Sequence, residues 1–127
     1  MTRTSLVIRL LFAVCLLGAS VNHVVAVVQH GPLWDYGFGS RAPLASRIYW
    51  SALTLLDPLA IALLFVRPRT GIVLTALIIV SDVVHNTYYV AMADLWTAPF
   101  YLSQVVFLVF VLAVAPLAWR KRPAAQQ

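Results

Sequence analysis

Four apolar stretches, each about twenty residues long, occupy nearly all of this chain, and they constrain its fold more than any other feature. They run from about Ser5 to Val28, Ser46 to Val66, Gly71 to Met92 and Pro99 to Trp119. A helix rises 1.5 Å per residue, so each stretch crosses a hydrocarbon layer of about 30 Å. Lipid satisfies no exposed backbone N–H or C=O, which leaves a helix as the spanning form for segments of this kind. The expected fold class is therefore all-α. It is a four-transmembrane-helix bundle forming a single domain over residues 1–127, with residues 29–45 as the longest connection, on the outer side.

Composition narrows the function classes. The chain is 62% hydrophobic and 10% charged, against about half apolar and a quarter charged in a soluble domain. Its net charge of +5 sits on residues that flank the apolar stretches, which is how membrane orientation is encoded. Nucleic acid is therefore not an expected partner; the lipid bilayer is. One cysteine, Cys15, excludes an intrachain disulfide framework. Glutamate is absent, so every acidic role falls to Asp35, Asp57, Asp82 or Asp94.

Arg3, Arg9, Arg67, Arg69, Arg120, Lys121 and Arg122 lie at one set of stretch ends, and only Arg41 and Arg47 at the other. The positive-inside rule then puts both termini in the cytoplasm of a multi-pass protein of the bacterial inner-membrane type. Trp34, Tyr36, Tyr49, Trp50, Tyr88, Tyr89, Trp96 and Tyr101 fall toward the opposite side, as an interfacial aromatic belt would. A rival reading makes Arg3, Arg9, Leu10 to Leu17 and Gly18-Ala19-Ser20 a signal sequence cleaved after Ser20. The apolar run continues through Val28, which favours a retained helix. The connection 29–45, punctuated by Gly31-Pro32, Gly37, Gly39 and Pro43, reads either as an interfacial anchor or as a lid with glycine hinges.

The stretches carry polar residues that lipid does not tolerate. Asp82, His85, Asn86 and Tyr89 fall on one helical stripe, with Thr75 a heptad earlier. Trp50, Thr54 and Asp57 share a face of the second helix, and Pro58 follows at once, so the expectation is a kink or a functional break there. Asn22 and His23 lie in the first helix and Gln104 in the fourth. An Asp at the bilayer centre costs about 2.5–3.5 kcal/mol, so intramembrane acids mark functional sites by default. The candidate ligand-binding residues are Asp57, Asp82, His85, Asn86, His23, Asn22 and Gln104, gathered into one cluster that opens outward. A divalent ion held by the two histidines and two aspartates is a further option, but no spacing fixes their mutual distance. A small-residue stripe of Cys15, Gly18, Ala19, Asn22 and Ala26 is expected to pack against a neighbour.

In size and helix count the chain is similar to the small multidrug resistance transporters, which depend on a glutamate in their first helix; the similarity ends at length. Asp57-Pro58 and His85 resemble the sterol isomerase and sigma-2 receptor group, in which the second span carries an acid followed by proline and a later helix carries a histidine. That match covers a few positions and carries no activity across. The leading expectation is binding of a small ligand or ion, with proton exchange at Asp57 and Asp82. The alternatives are an intramembrane enzyme on a lipid or isoprenoid, with His85 and an Asp as acid and base, and an accessory subunit of a larger membrane complex or a homo-oligomer. No particular cofactor is implied.

Overall fold

The computed structural model describes residues 2–120; Lys121 and Arg122, which contribute to the expected orientation, lie outside the described residues. Four helices follow in order: α1 (Arg3–His30), α2 (Leu44–Val66), α3 (Pro68–Ala93) and α4 (Pro99–Trp119). A short 3₁₀ turn, Gly39–Arg41, interrupts the long connection, and there is no strand among the described residues. All four helices are long and apolar enough to cross a membrane.

The helix ends have identifiable causes. The Thr2 hydroxyl accepts from the Ser5 amide at 3.0 Å and caps α1, which therefore begins before its apolar run. Pro68 and Pro99 open α3 and α4, where a missing N–H is no loss. Gly31 ends α1 at φ 79°, a conformation glycine adopts without strain, and its amide bonds the Val27 carbonyl at 2.8 Å.

Neighbours in sequence are neighbours in space, and α1 closes the ring against α4. The core, led by Phe12, Leu16, Leu53, Leu64, Ile79 and Val111, lies on the bundle axis. Phe12 packs edge-on against Phe107 and Phe110 of α4. Gly71 brings α3 against α2 so closely that a Cβ there would sit 2.3 Å from the Leu64 amide nitrogen.

The small-residue stripe does not set the rotation of α1. Cys15, Gly18 and Asn22 are exposed, and a Cβ on Gly18 would meet nothing within 4 Å, whereas Ala19 is half-buried and Ala26 buried. The face turned inward instead carries Ser5, Arg9, Phe12, Leu16, Ser20 and His23, spaced three and four residues apart. Polar groups that need partners, together with the Phe12 ring, outweigh a smooth surface of small residues.

Nor does α2 break at Pro58; it runs unbroken from Leu44 to Val66. The ring of Pro58 is on the exposed side while Asp57 points inward, so the helix loses one hydrogen bond, from the position that would meet the Thr54 carbonyl, and keeps its course.

Candidate functional site

The inward stripes of α1, α2 and α3 build two polar groups joined by aromatic rings. The larger one lies between α2, α3 and α4. Trp50 Nε1 donates to Asn86 Oδ1 at 3.1 Å, and an indole N–H can only donate. That fixes the Asn86 amide, whose Nδ2 donates to Gln104 Oε1 at 3.1 Å. His85 Nδ1 lies 3.2 Å from the same Asn86 oxygen and therefore carries the hydrogen, since acceptor facing acceptor repels. His85 Nε2 meets the Ser46 hydroxyl at 2.9 Å, and Tyr89 donates to that hydroxyl at 2.6 Å. Rings of Tyr49, Trp50 and Tyr89 enclose the imidazole. His85, Asn86 and Gln104 are thus brought together, and both His85 nitrogens are engaged.

Asp82, a turn deeper on α3, is buried and held from α2. The Tyr49 phenol donates to its Oδ1 at 2.8 Å, with Ser81 Oγ 2.7 Å from the same phenol oxygen. This acid has a partner.

The second group lies between α1 and α2. Asp57 is 1% exposed, and neither of its carboxylate oxygens has a hydrogen-bond partner. Its nearest ionisable contact is His23 Nε2, 3.7 Å from Oδ2. The Thr54 hydroxyl one turn outward on α2 and the Ser20 hydroxyl one turn inward of His23 on α1 are also buried without partners. Asn22 is not brought in: it lies on the exposed flank of α1, about 100° around the helix from His23. The two histidines and two aspartates do not converge as a metal set, because His85 and Asp82 are bound into the α2–α3 layer while His23 and Asp57 face each other across α1–α2.

The connection between α1 and α2 covers both groups. Tyr36 packs on Trp34 and Trp50, and Phe38 packs on Trp50 and Tyr89. The Tyr36 hydroxyl lies 3.0 Å from His23 Nδ1, so a chain of contacts leads from the loop through the imidazole to Asp57. Burial and the negative charge of Asp82 hold the Tyr36 phenol above its ordinary pKa, which keeps it a neutral hydroxyl. Leu33 and Tyr36 both adopt left-handed backbone, at φ 61° and 54°. Such conformations persist only where surroundings impose them. Here the Leu33 amide donates to Ser51 Oγ at 2.8 Å, and Arg47 grips the carbonyls of Gly39 and Ala42 at 3.0 Å each. The outward-opening mouth expected from the sequence is thus roofed by aromatic rings, because Tyr36 and Phe38 pack on Trp50 and Tyr89, while Trp34 lies against Tyr36 and His30. Trp50, Tyr49, Tyr89 and Tyr101 likewise turn into the bundle, whereas Tyr88 and Trp96 remain exposed as belt residues would.

Sequence reasoning also overlooked a polar site at the opposite end. Arg9 is buried and donates from Nη1 to the Leu64 carbonyl at 2.7 Å. The regular helical donor to that carbonyl would be residue 68, and Pro68 has no N–H. Ser5, a turn from Arg9, donates to the Ala118 carbonyl at 2.6 Å. Together they cap the C-terminal turns of α2 and α4, where a cation is also favoured by the helix dipoles. The signal was the three- and four-residue spacing of Ser5, Arg9, Ser20 and His23 with Phe12 and Leu16.

A groove of about 450 Å³ lies between α1 and α4, lined by Cys15, Leu102, Ser103, Val106, Phe107 and Phe110. It is apolar and touches neither Asp57 nor Asp82. Comparison of the chain with protein-family models, with curated proteins and with solved structures finds no match.

Proposed function

We propose that this chain is a small multi-pass membrane protein that binds a small ligand or ion at its interior carboxylates and exchanges protons there. Asp57 is the acceptor group. The observation that carries this reading is the state of Asp57: buried to 1% exposure, with neither oxygen hydrogen-bonded and only the His23 ring, 3.7 Å away, recorded as an ion-pair contact. Scaffolding acids have donors, as Asp82 has in Tyr49. An acid without them destabilises the fold it sits in, and selection retains such a group for what it binds. Tyr36 and His23 supply the route for a proton between the outer connection and Asp57, and residues 31–43 act as the lid over it. His85, Asn86 and Gln104 form the rigid wall beside the site rather than its reactive part.

The charge asymmetry supports an inner-membrane orientation with both termini cytoplasmic. Arg3, Arg67, Arg69 and Arg120 are exposed at one end, while at the other Arg47 is tied into the loop and Arg41 stands over the Phe38 ring. The exposed Cys15, Gly18 and Asn22 flank of α1 remains available to a second copy or a larger membrane complex.

A hydrophobic carbodiimide, which adds to protonated carboxyls in apolar surroundings, tests the assignment. In membranes it should modify Asp57 well ahead of Asp82, which is shielded by its Tyr49 bond, with the modified residue identified by peptide mass spectrometry. Modification confined to Asp35 and Asp94, or equal at Asp57 and Asp82, contradicts it.

A further inference from the structure

We propose that Asp57, Thr54 and Ser20 form a binding site for a dehydrated alkali-metal cation between α1 and α2. The inference rests on the reading of Asp57 as a ligand-binding acid and names the class of ligand.

All the buried side-chain N and O atoms without a hydrogen bond recorded among the described residues lie on the two helices that meet at the His23–Asp57 contact: Ser20 Oγ on α1, and Thr54 Oγ1 and both carboxylate oxygens of Asp57 on α2. Buried polar atoms are hydrogen-bonded in the great majority of cases, so a group of exceptions marks the position of something that satisfies them. Thr54 and Asp57 are one turn apart on the inward face of α2. Ser20 is buried one turn from His23 on α1, and the His23 ring lies 3.7 Å from Asp57. Pro58 adds a fifth oxygen, because it brings no N–H to the Thr54 carbonyl, the acceptor it would meet in a regular helix.

The donor chemistry selects the ion. Every candidate donor is a hard oxygen, which suits hard cations over the transition metals that imidazole and thiolate favour. One carboxylate supplies one negative charge, and hydroxyl and carbonyl oxygens supply none. A monovalent cation balances the charge of its own ligand set; a divalent one leaves a net charge among its ligands, because the nearby carboxylate of Asp82 is committed to Tyr49. The other charged or titratable groups around Asp57 are His23 from α1, which the Tyr36 hydroxyl contacts from the α1–α2 connection, Asp82 from α3 and Tyr49 on α2 itself. Arg9 lies at the inner end of the α1–α2 seam, committed to Leu64.

The test uses the full chain purified in mild detergent, melted in choline chloride replaced stepwise by sodium or potassium chloride at constant ionic strength. The expected result is a saturable rise in Tm with at least one of the two cations, since ligand binding to the folded state raises its stability. The rise should vanish in Asp57→Asn, need at least tenfold more cation in Ser20→Ala and Thr54→Val, and persist in Cys15→Ser, which faces the α1–α4 groove. Identical melting in choline, sodium and potassium overturns the assignment, as does a saturable rise that Asp57→Asn retains. If Asp57→Asn is not obtained in quantity, the Ser20 and Thr54 variants carry the test alone, and unchanged cation dependence in both overturns it. Carbodiimide modification of Asp57 that saturating cation leaves undiminished removes the cation assignment while the Asp57 site stands; protection by the same cation supports both. Absence of modification at Asp57 in cation-free buffer removes the broader reading.

Discussion

Gly71→Ala should lower the stability of the protein by about 3 kcal/mol or more, the largest single effect expected from so small a change. A methyl group there would stand 2.3, 2.5 and 2.6 Å from the Leu64 nitrogen, the Leu64 Cα and the Leu63 carbonyl carbon. These are backbone atoms of a neighbouring helix, so no side-chain rotation relieves the contact. The turn between α2 and α3 is a single residue, Arg67, and Pro68 fixes the backbone that follows it, so the helices separate only by opening the whole inner end. Opening it would withdraw the Leu64 carbonyl from Arg9 as well. Gly18→Ala provides the contrast. Its added carbon meets nothing within 4 Å, and alanine is the better helix former by about 0.5–1 kcal/mol, so that variant should melt at or slightly above the parent. Denaturant titration of both in one detergent reads the difference directly.

The second large effect is expected at Arg9. Arg9→Leu removes the donor to the Leu64 carbonyl and the guanidinium that lies 5.9 Å from the Phe65 ring centroid. Two terms oppose each other. Leucine spares the desolvation of a charge, which reaches about 2.5–3.5 kcal/mol for an arginine at the centre of a span but declines toward its ends. Arg9 belongs to the second turn of α1, beside the last turns of α2 and α4, so that relief is small. Against it stands the loss of a charge-assisted bond to a carbonyl that Pro68 cannot serve, about 2–3 kcal/mol. The loss wins, and the variant should unfold at lower denaturant. Arg9→Lys, which keeps the charge but lacks the fork, should fall between the two. A variant as stable as the parent would mean that the cap contributes nothing.

The four long helices were legible because each rests on about twenty consecutive apolar residues, long enough to cross a membrane as a helix. The inward stripe of α3 was legible because Asp82, Asn86 and Tyr89 could not face lipid. What stayed hidden depended on partners rather than on periodicity. Arg9 reads as an orientation signal in one dimension, and only the fold shows that Pro68 leaves Leu64 in need of it. Asn22 and His23 are adjacent in sequence, and nothing local says which of them turns inward; the contact of His23 with Asp57 and Tyr36 decides. Tyr36 and Phe38 have the composition of an interfacial loop, and their inward packing depends on Trp50 and Tyr89 being there to receive them. Pro58 suggested a break because an acid precedes it. The helix continues because neighbouring turns of α2 are held on both sides by α1 and α3.

The two interior acids differ in one respect on which the whole account turns: Asp82 has a donor and Asp57 has none. The thermal stability of Asp57→Asn, measured beside the parent in cation-free choline buffer and the same detergent, tests this most directly. An unpartnered carboxylate opposes folding, so the neutral amide of the same shape should melt at the parent temperature or several degrees above it. A fall of several degrees would mean that the carboxylate of Asp57 holds the bundle together, and the account of it as a binding group would be wrong.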